Sequence, residues 1–281
     1  MLRFGQARKD EYFVSEAAAA NGHPEAFWPE PPRHAGENVM KIIKELYRSV
    51  PIYFLALVLA SFGTAIGAQT GNVAHTNRWE SDLTAFEISD HTNPPPSNAV
   101  LFTGASNIRL WKNIDKAFPA HKVINRGFGG AEMSDLAEFA GRIVIPYRPK
   151  ILIIYAGDND LVDHKTPEQI LADFKSFTQQ VHTALPKTII GCIAVKPSPS
   201  RGRLLAQIKA TDALLQSYCR TNANTIYIDD FTPMLSASGA PRPELFGKDG
   251  LHLNEQGRAI WISLIGPILD RYDPPLTRTS L

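Results

Sequence analysis

From residue 97 onward, short apolar runs alternate with segments of helical period, and this alternation constrains the fold more than any other feature of the chain. "AVLFTG" leads into "IRLWKNIDKAF", "KVINRG" into "MSDLAEFAGRIV", and "KILIIYAG" into "PEQILADFKSFTQQVHTAL". "TIIGCIAV" then leads into "RLLAQIKATDALLQSYC", and "TIYIDD" into the last amphipathic segment. Runs of near-continuous β-branched and aliphatic residues, alternating with helices, describe strands of a parallel sheet covered on both faces. The pattern predicts a five-stranded, doubly wound α/β domain over residues 97–272. One boundary is marked chemically: Thr166 is placed as an N-cap, Pro167 as the first helical residue and Gln169 to complete a capping box.

At 281 residues the chain has room for this domain and for extra segments. Its formal net charge of +1 supplies no electrostatic pull toward nucleic acid. Cys192 and Cys219 lack metal-ligand or CxxC spacing and read as plain buried thiols, so the sequence implies neither metal nor cofactor. Residues 1–39 read as disordered, or as an upstream extension if translation starts at Met40. Residues 40–68 place Lys41, Lys44 and Arg48 before an apolar run that ends in small residues, the layout of an export signal. Residues 50–68 are also long enough to anchor the chain in a membrane, and either reading sends the domain outward. A polar linker is expected over 69–96 and a short tail over 273–281.

Ligand sites in such sheets form outside the carboxyl ends of the strands, so the residues after each run carry the functional argument. "TGASNI" offers Ser106 as a nucleophile at a strand-to-helix turn. A serine needs a base, and a base needs an orienting carboxylate. "DGLH" supplies His252 and Asp249 across Gly250, just before Asn254 caps the final helix. Oxyanion donors are expected from the backbone N–H groups of Ser106 and of Gly130 in "NRGFGG", and from the Asn159 amide in "GDND". Each of these has an ordinary reading as a cap or turn residue; together they fall on one predicted edge.

The set Ser106, Gly130, Asn159 and the Asp249–His252 pair resembles the four sequence blocks of the SGNH, or GDSL-type, serine hydrolases in order and spacing. The resemblance implies a flavodoxin-like three-layer α/β/α sandwich and metal-free hydrolysis of acyl, lipid or acetylated-carbohydrate esters. Ala105 departs from the Gly-Asp-Ser form of the first block. The rival nucleophile motif Gly-x-Ser-x-Gly is not met, because Ile108 stands at its second glycine. An O-acyltransferase using the same residues, and a membrane-tethered binding protein without catalysis, are the competing expectations.

Three further stretches receive plainer readings. "DNDLVDH" lacks the glycine and distal glutamate of a calcium loop, and "GFGG" completes no phosphate-binding motif. Lys196, Arg201 and Arg203 in "KPSPSRGR" read as solvated loop charges, with contact to an anionic part of a substrate as the alternative. Arg109 and Trp111 read as packing and orienting residues of the first helix, with direct substrate contact as the lesser alternative.

Overall fold

The computed structural model describes residues 73–274. The readings of residues 1–39 and 40–68, with the candidate span 50–68, and of the tail beyond residue 274 lie outside the described residues. No helix among the described residues is long and apolar enough to cross a membrane.

The predicted strands form as β1 (Val100–Gly104), β2 (Val123–Gly127), β3 (Ile151–Tyr155), β4 (Ile189–Ile193) and β5 (Thr225–Ile228). They make one parallel sheet in the order β2-β1-β3-β4-β5, the flavodoxin-like order anticipated. All residues of β1 and β3 are buried, which is why their sequences are almost wholly apolar, the hydroxyl of Thr103 being satisfied by Arg126 O. Gly104 pairs with Gly127 on one side and Tyr155 on the other, so the ends of β2, β1 and β3 lie level. The chain passes from β1 outward to β2 and then back across β1 to β3 on its other side, and this reversal opens a crevice at the carboxyl edge.

Helices cover the sheet, each burying one stripe. Short helices α2 (Ser106–Arg109) and α3 (Ile114–Ala117) follow β1, and α4 (Met133–Ile143) follows β2. After β3 come α5 (Asp158–Val162) and α6 (Pro167–Ala184); α7 (Leu205–Thr221) joins β4 to β5, and α8 (Glu255–Tyr272) ends the domain. The α6 start is the expected capping box: the Gln169 N–H donates to Thr166 Oγ1 at 3.3 Å, and Gln169 Oε1 accepts the Thr166 N–H at 2.8 Å. Trp111 is buried and tilted against Trp261 of α8, their ring centres 6.0 Å apart, which fits its reading as a packing residue.

The expected linker over 69–96 is corrected for most of its length: Val73–Thr92 is a helix, α1, within the same compact unit as the sheet, Gly71–Leu281. Among the described side chains its apolar contribution comes from Trp79, Leu83 and Phe86, spaced as one helical face. Trp79 packs edge-on against Phe128 and Phe139 at 5.8 and 6.5 Å, and its Nε1 donates to Gly129 O at 2.7 Å. The acids of α1 complete the attachment: Glu80 and Glu87 hold Arg142, and Asp90 holds Arg126 and Tyr147. A segment this polar docks through ion pairs around a narrow apolar seam. Among the described residues of that stretch, "NPPPSN" is the part that behaves as linker, since α1 ends at Thr92.

Candidate active site

The site begins with a glycine. Gly104 ends β1 at φ +130, and a Cβ there would stand 2.0 Å from Tyr155 O, so no other residue fits between these strands. The chain then turns, with the Ala105 N–H donating to Tyr155 O at 2.8 Å, and Ser106 opens α2. Ala105, which departs from the family's aspartate, is completely buried.

The loop before α8 approaches from the far end of the sequence. Gly250 adopts φ +61, a left-handed turn that suits glycine, and lets the chain double back between Asp249 and His252. Asp249 Oδ1 accepts the N–H groups of Leu251 and His252 at 2.9 and 3.0 Å, while its Oδ2 lies 2.6 Å from His252 Nδ1. His252 Nε2 lies 2.9 Å from Ser106 Oγ across 146 positions of sequence. With the imidazole proton on Nδ1, held by the carboxylate, Nε2 is free to accept the serine proton. The His252 hydrogen bond first, then the backbone N–H groups, hold the Asp249 carboxyl down at about 2. The loop is tied at its flanks: the Leu253 N–H donates to Asn107 Oδ1 at 3.0 Å, and Asn254 Oδ1 caps α8 by accepting from Gln256 and Gly257. The residue after the serine thus anchors the residue after the histidine.

Gly130 and Asn159 meet through a shared loop. Asn159 Nδ2 donates to Ala131 O at 3.0 Å, and its second amide proton remains for another acceptor. Next to it, the Asp160 carboxylate accepts the Met133 N–H at 3.0 and 3.1 Å, fixing the start of α4. Gly130 itself has φ +75. Trp79 holds the loop at Gly129, and the Phe128 N–H donates to Gly104 O at 2.9 Å. Among the described residues the Ser106 and Gly130 N–H groups have no acceptor. Ser106, Gly130 and Asn159 follow β1, β2 and β3, three neighbouring strands with level ends.

The reading of Lys196 as a solvated charge is corrected. Lys196 is fully buried, its ammonium 3.0 Å from Asp158 Oδ2 and 2.9 Å from the Tyr155 hydroxyl. Burial acts to raise the Asp158 carboxyl, yet the Lys196 charge and hydrogen bond hold it below its usual range. This pair locks the residue immediately before Asn159 to the end of β4. Arg201 is partly buried and Arg203 exposed, while the Ser200 N–H donates to Gly250 O at 3.1 Å, so this loop braces the histidine turn. Of the oxygen ligands in "DNDLVDH", Asp158 serves Lys196, and Asp160 serves Met133 and Lys165. The packing reading of Arg109 is also corrected, because its side chain is exposed. Sequence reasoning missed the support beneath the site, although one signal was available: both Asp158 and Lys196 directly follow apolar strand runs at the same edge.

A family model described as the GDSL-like lipase/acylhydrolase family matches residues 97–260, more than half of the 281-residue chain. Three solved structures share the fold. A GDSL-like lipase from Bacteroides thetaiotaomicron is 19% identical, with a TM-score of 0.60, over 67% of this chain and 97% of its own. A candidate acylhydrolase from Bacteroides fragilis is 22% identical, with a TM-score of 0.60, over 68% and 97%. A candidate platelet activating factor from Streptococcus pneumonia is 18% identical, with a TM-score of 0.61, over 69% and 94%. No curated protein matches the chain.

Proposed function

The chain belongs to the GDSL-like lipase/acylhydrolase family and is an ester-hydrolysing enzyme, and from that premise we propose that it cleaves carboxylic esters through Ser106, His252 and Asp249. The observation that carries this reading is the unbroken hydrogen-bond chain from Ser106 Oγ through His252 to Asp249, at 2.9 and 2.6 Å.

In the first step His252 Nε2 takes the Ser106 proton as the oxygen attacks the ester carbonyl. Asp249 steadies the imidazolium that forms, and its low pKa keeps it ionised while it does so. The developing oxyanion is received by the Ser106 N–H, the Gly130 N–H and the free amide proton of Asn159. His252 then protonates the departing alcohol, leaving an acyl-serine. In the second step His252 activates a water that releases the acid and restores the serine. Because the donor loop is pinned by Trp79, Asn159 and Asp160, its N–H groups are oriented before the substrate arrives.

The decisive experiment is fluorophosphonate labelling with turnover of a short-chain nitrophenyl ester. Ser106→Ala loses the label and about 10⁶-fold in kcat. Labelling that persists in this variant removes Ser106 from the mechanism. Export of the domain by residues 40–68, as a cleaved signal or as an anchor through 50–68, belongs to the same proposal. Mass spectrometry of the mature amino terminus tests it.

A further inference from the structure

The hydrolase reading leaves the substrate open, and two arginines at the rim bear on it. Arg109 is the last residue of α2, one turn beyond Ser106, which puts both on the same side of that turn. Its side chain runs along the glycine loop: a Cβ on Gly129 would come within 2.8 Å of Arg109 Nε. Arg78 reaches the same loop from α1, and a Cβ on Gly130 would come within 2.6 Å of Arg78 Nη2. The Arg78 guanidinium also lies 4.7 Å from the centre of the Trp79 ring, whose indole is fixed to Gly129. Absence of side chains at Gly129 and Gly130 is therefore what admits two guanidinium groups beside the proposed oxyanion donor.

Neither charge is spoken for. Both side chains are exposed, and among the described residues neither has a carboxylate or hydrogen-bond partner. Of the four acids of α1, Glu80 and Glu87 are committed to Arg142 and Asp90 to Arg126, and Asp82, one turn beyond Arg78, makes no ion pair with it. Nor is Lys196 available at this edge, since Asp158 consumes its charge. Two guanidinium groups without a carboxylate at ion-pair distance, placed around one mouth, create a local positive field in a chain whose net charge is only +1. Planar guanidinium forks match carboxylate and phosphate oxygens, and both charges converge on the glycine loop, where the substrate must pass.

We propose that Arg78 and Arg109 bind an anionic oxygen group, a carboxylate or phosphate, that the substrate carries beside its ester. The favoured substrates are esters of acidic molecules, and neutral esters are turned over less efficiently. This inference rests on the hydrolase reading above and adds the substrate class to it.

The test compares three esters with the same acetyl group in the full chain: phenyl acetate, 3-acetoxybenzoate and 3-acetoxyphenyl phosphate. The readout is the ratio of kcat/KM, acidic ester over neutral ester, in wild type and in the R78A/R109A double variant. At low salt the variant lowers that ratio by about tenfold for at least one acidic ester, mainly through KM, the scale of two partly exposed ion pairs. Added salt lowers the wild-type ratio as well, and R78K/R109K recovers part of what the alanines lose. Whichever acidic ester shows the larger change distinguishes carboxylate from phosphate. A ratio that stays the same in the alanine variant, with both classes of ester slowed equally, overturns the inference and assigns the arginines to general support of the oxyanion. A wild-type chain that hydrolyses none of the esters and takes no fluorophosphonate label defeats the hydrolase reading, and this inference with it.

Discussion

Two ion pairs stand near the same sheet edge and are built on opposite terms. Asp249 and His252 meet in a loop, with the Asp249 side chain half exposed, and water reaches both. Asp158 and Lys196 meet where no water reaches the ammonium. The first pair can exchange protons with a substrate and with solvent, so its strength is available for chemistry. In the second, each charge has given up hydration and depends on its partner, so a proton cannot leave without stranding the other. Location, more than residue type, separates a reacting pair from one that holds the reacting residues in place.

The largest effect expected from changing either pair exploits that difference directly. Asp249→Asn keeps the shape of the loop but supports the wrong imidazole tautomer, and kcat falls by about 10⁴-fold. The urea midpoint falls much less than that of the buried-pair variant below, because solvent screens the half-exposed Asp249; an equal fall in stability would erase the contrast. Next comes the buried pair. Lys196→Met strands the Asp158 carboxylate and costs about 3–5 kcal/mol in urea unfolding, whereas the K196M/D158L double variant recovers most of that loss. If the double variant is as unstable as the single one, the pair is not the unit that matters there.

The smallest effect is one of sign, visible in the pH dependence of thermal stability. The folded pKa of Asp249, about 2, lies below its ordinary 3.8, so its contribution is present above about 4 and fades as pH falls toward 2. Asp230 is the reverse. Burial pushes its carboxyl up to about 8, against the Trp261 hydrogen bond and the nearby Lys196 charge, so its contribution is full below about 4 and is lost as pH rises toward 8. Asp249→Asn flattens the acid limb and Asp230→Asn the limb between about 4 and 8. Identical profiles for the two variants would contradict the separation of exposed and buried groups.

The sheet was legible because its strands are short, largely apolar runs bounded by turns, and the site loops because each directly follows a strand. Helix α1 was not, since its apolar face, among the described side chains, is Trp79, Leu83 and Phe86 within a charged segment, and its attachment uses Arg126 and Arg142, whose partners no local pattern reveals. The i, i+4, i+7 spacing was present but was outweighed by the polarity around it. Lys196 was misread for a related reason: a lysine in a proline-rich loop carries no local sign of burial, which is decided by Asp158 and Tyr155 arriving from another strand. The arginines of the rim were visible as residues, but their relation to the glycine loop is purely tertiary.

The indole of Trp79, gripping Gly129 from a helix that precedes the family-matched region, has a practical consequence. An expression fragment trimmed to residues 97–260 would discard that grip, and would also stop one position short of Trp261 on the opposite wall. Such a fragment would keep every proposed reacting group and still present a slackened glycine turn, so weak turnover from it would report on where the gene was cut and not on the enzyme's appetite for esters.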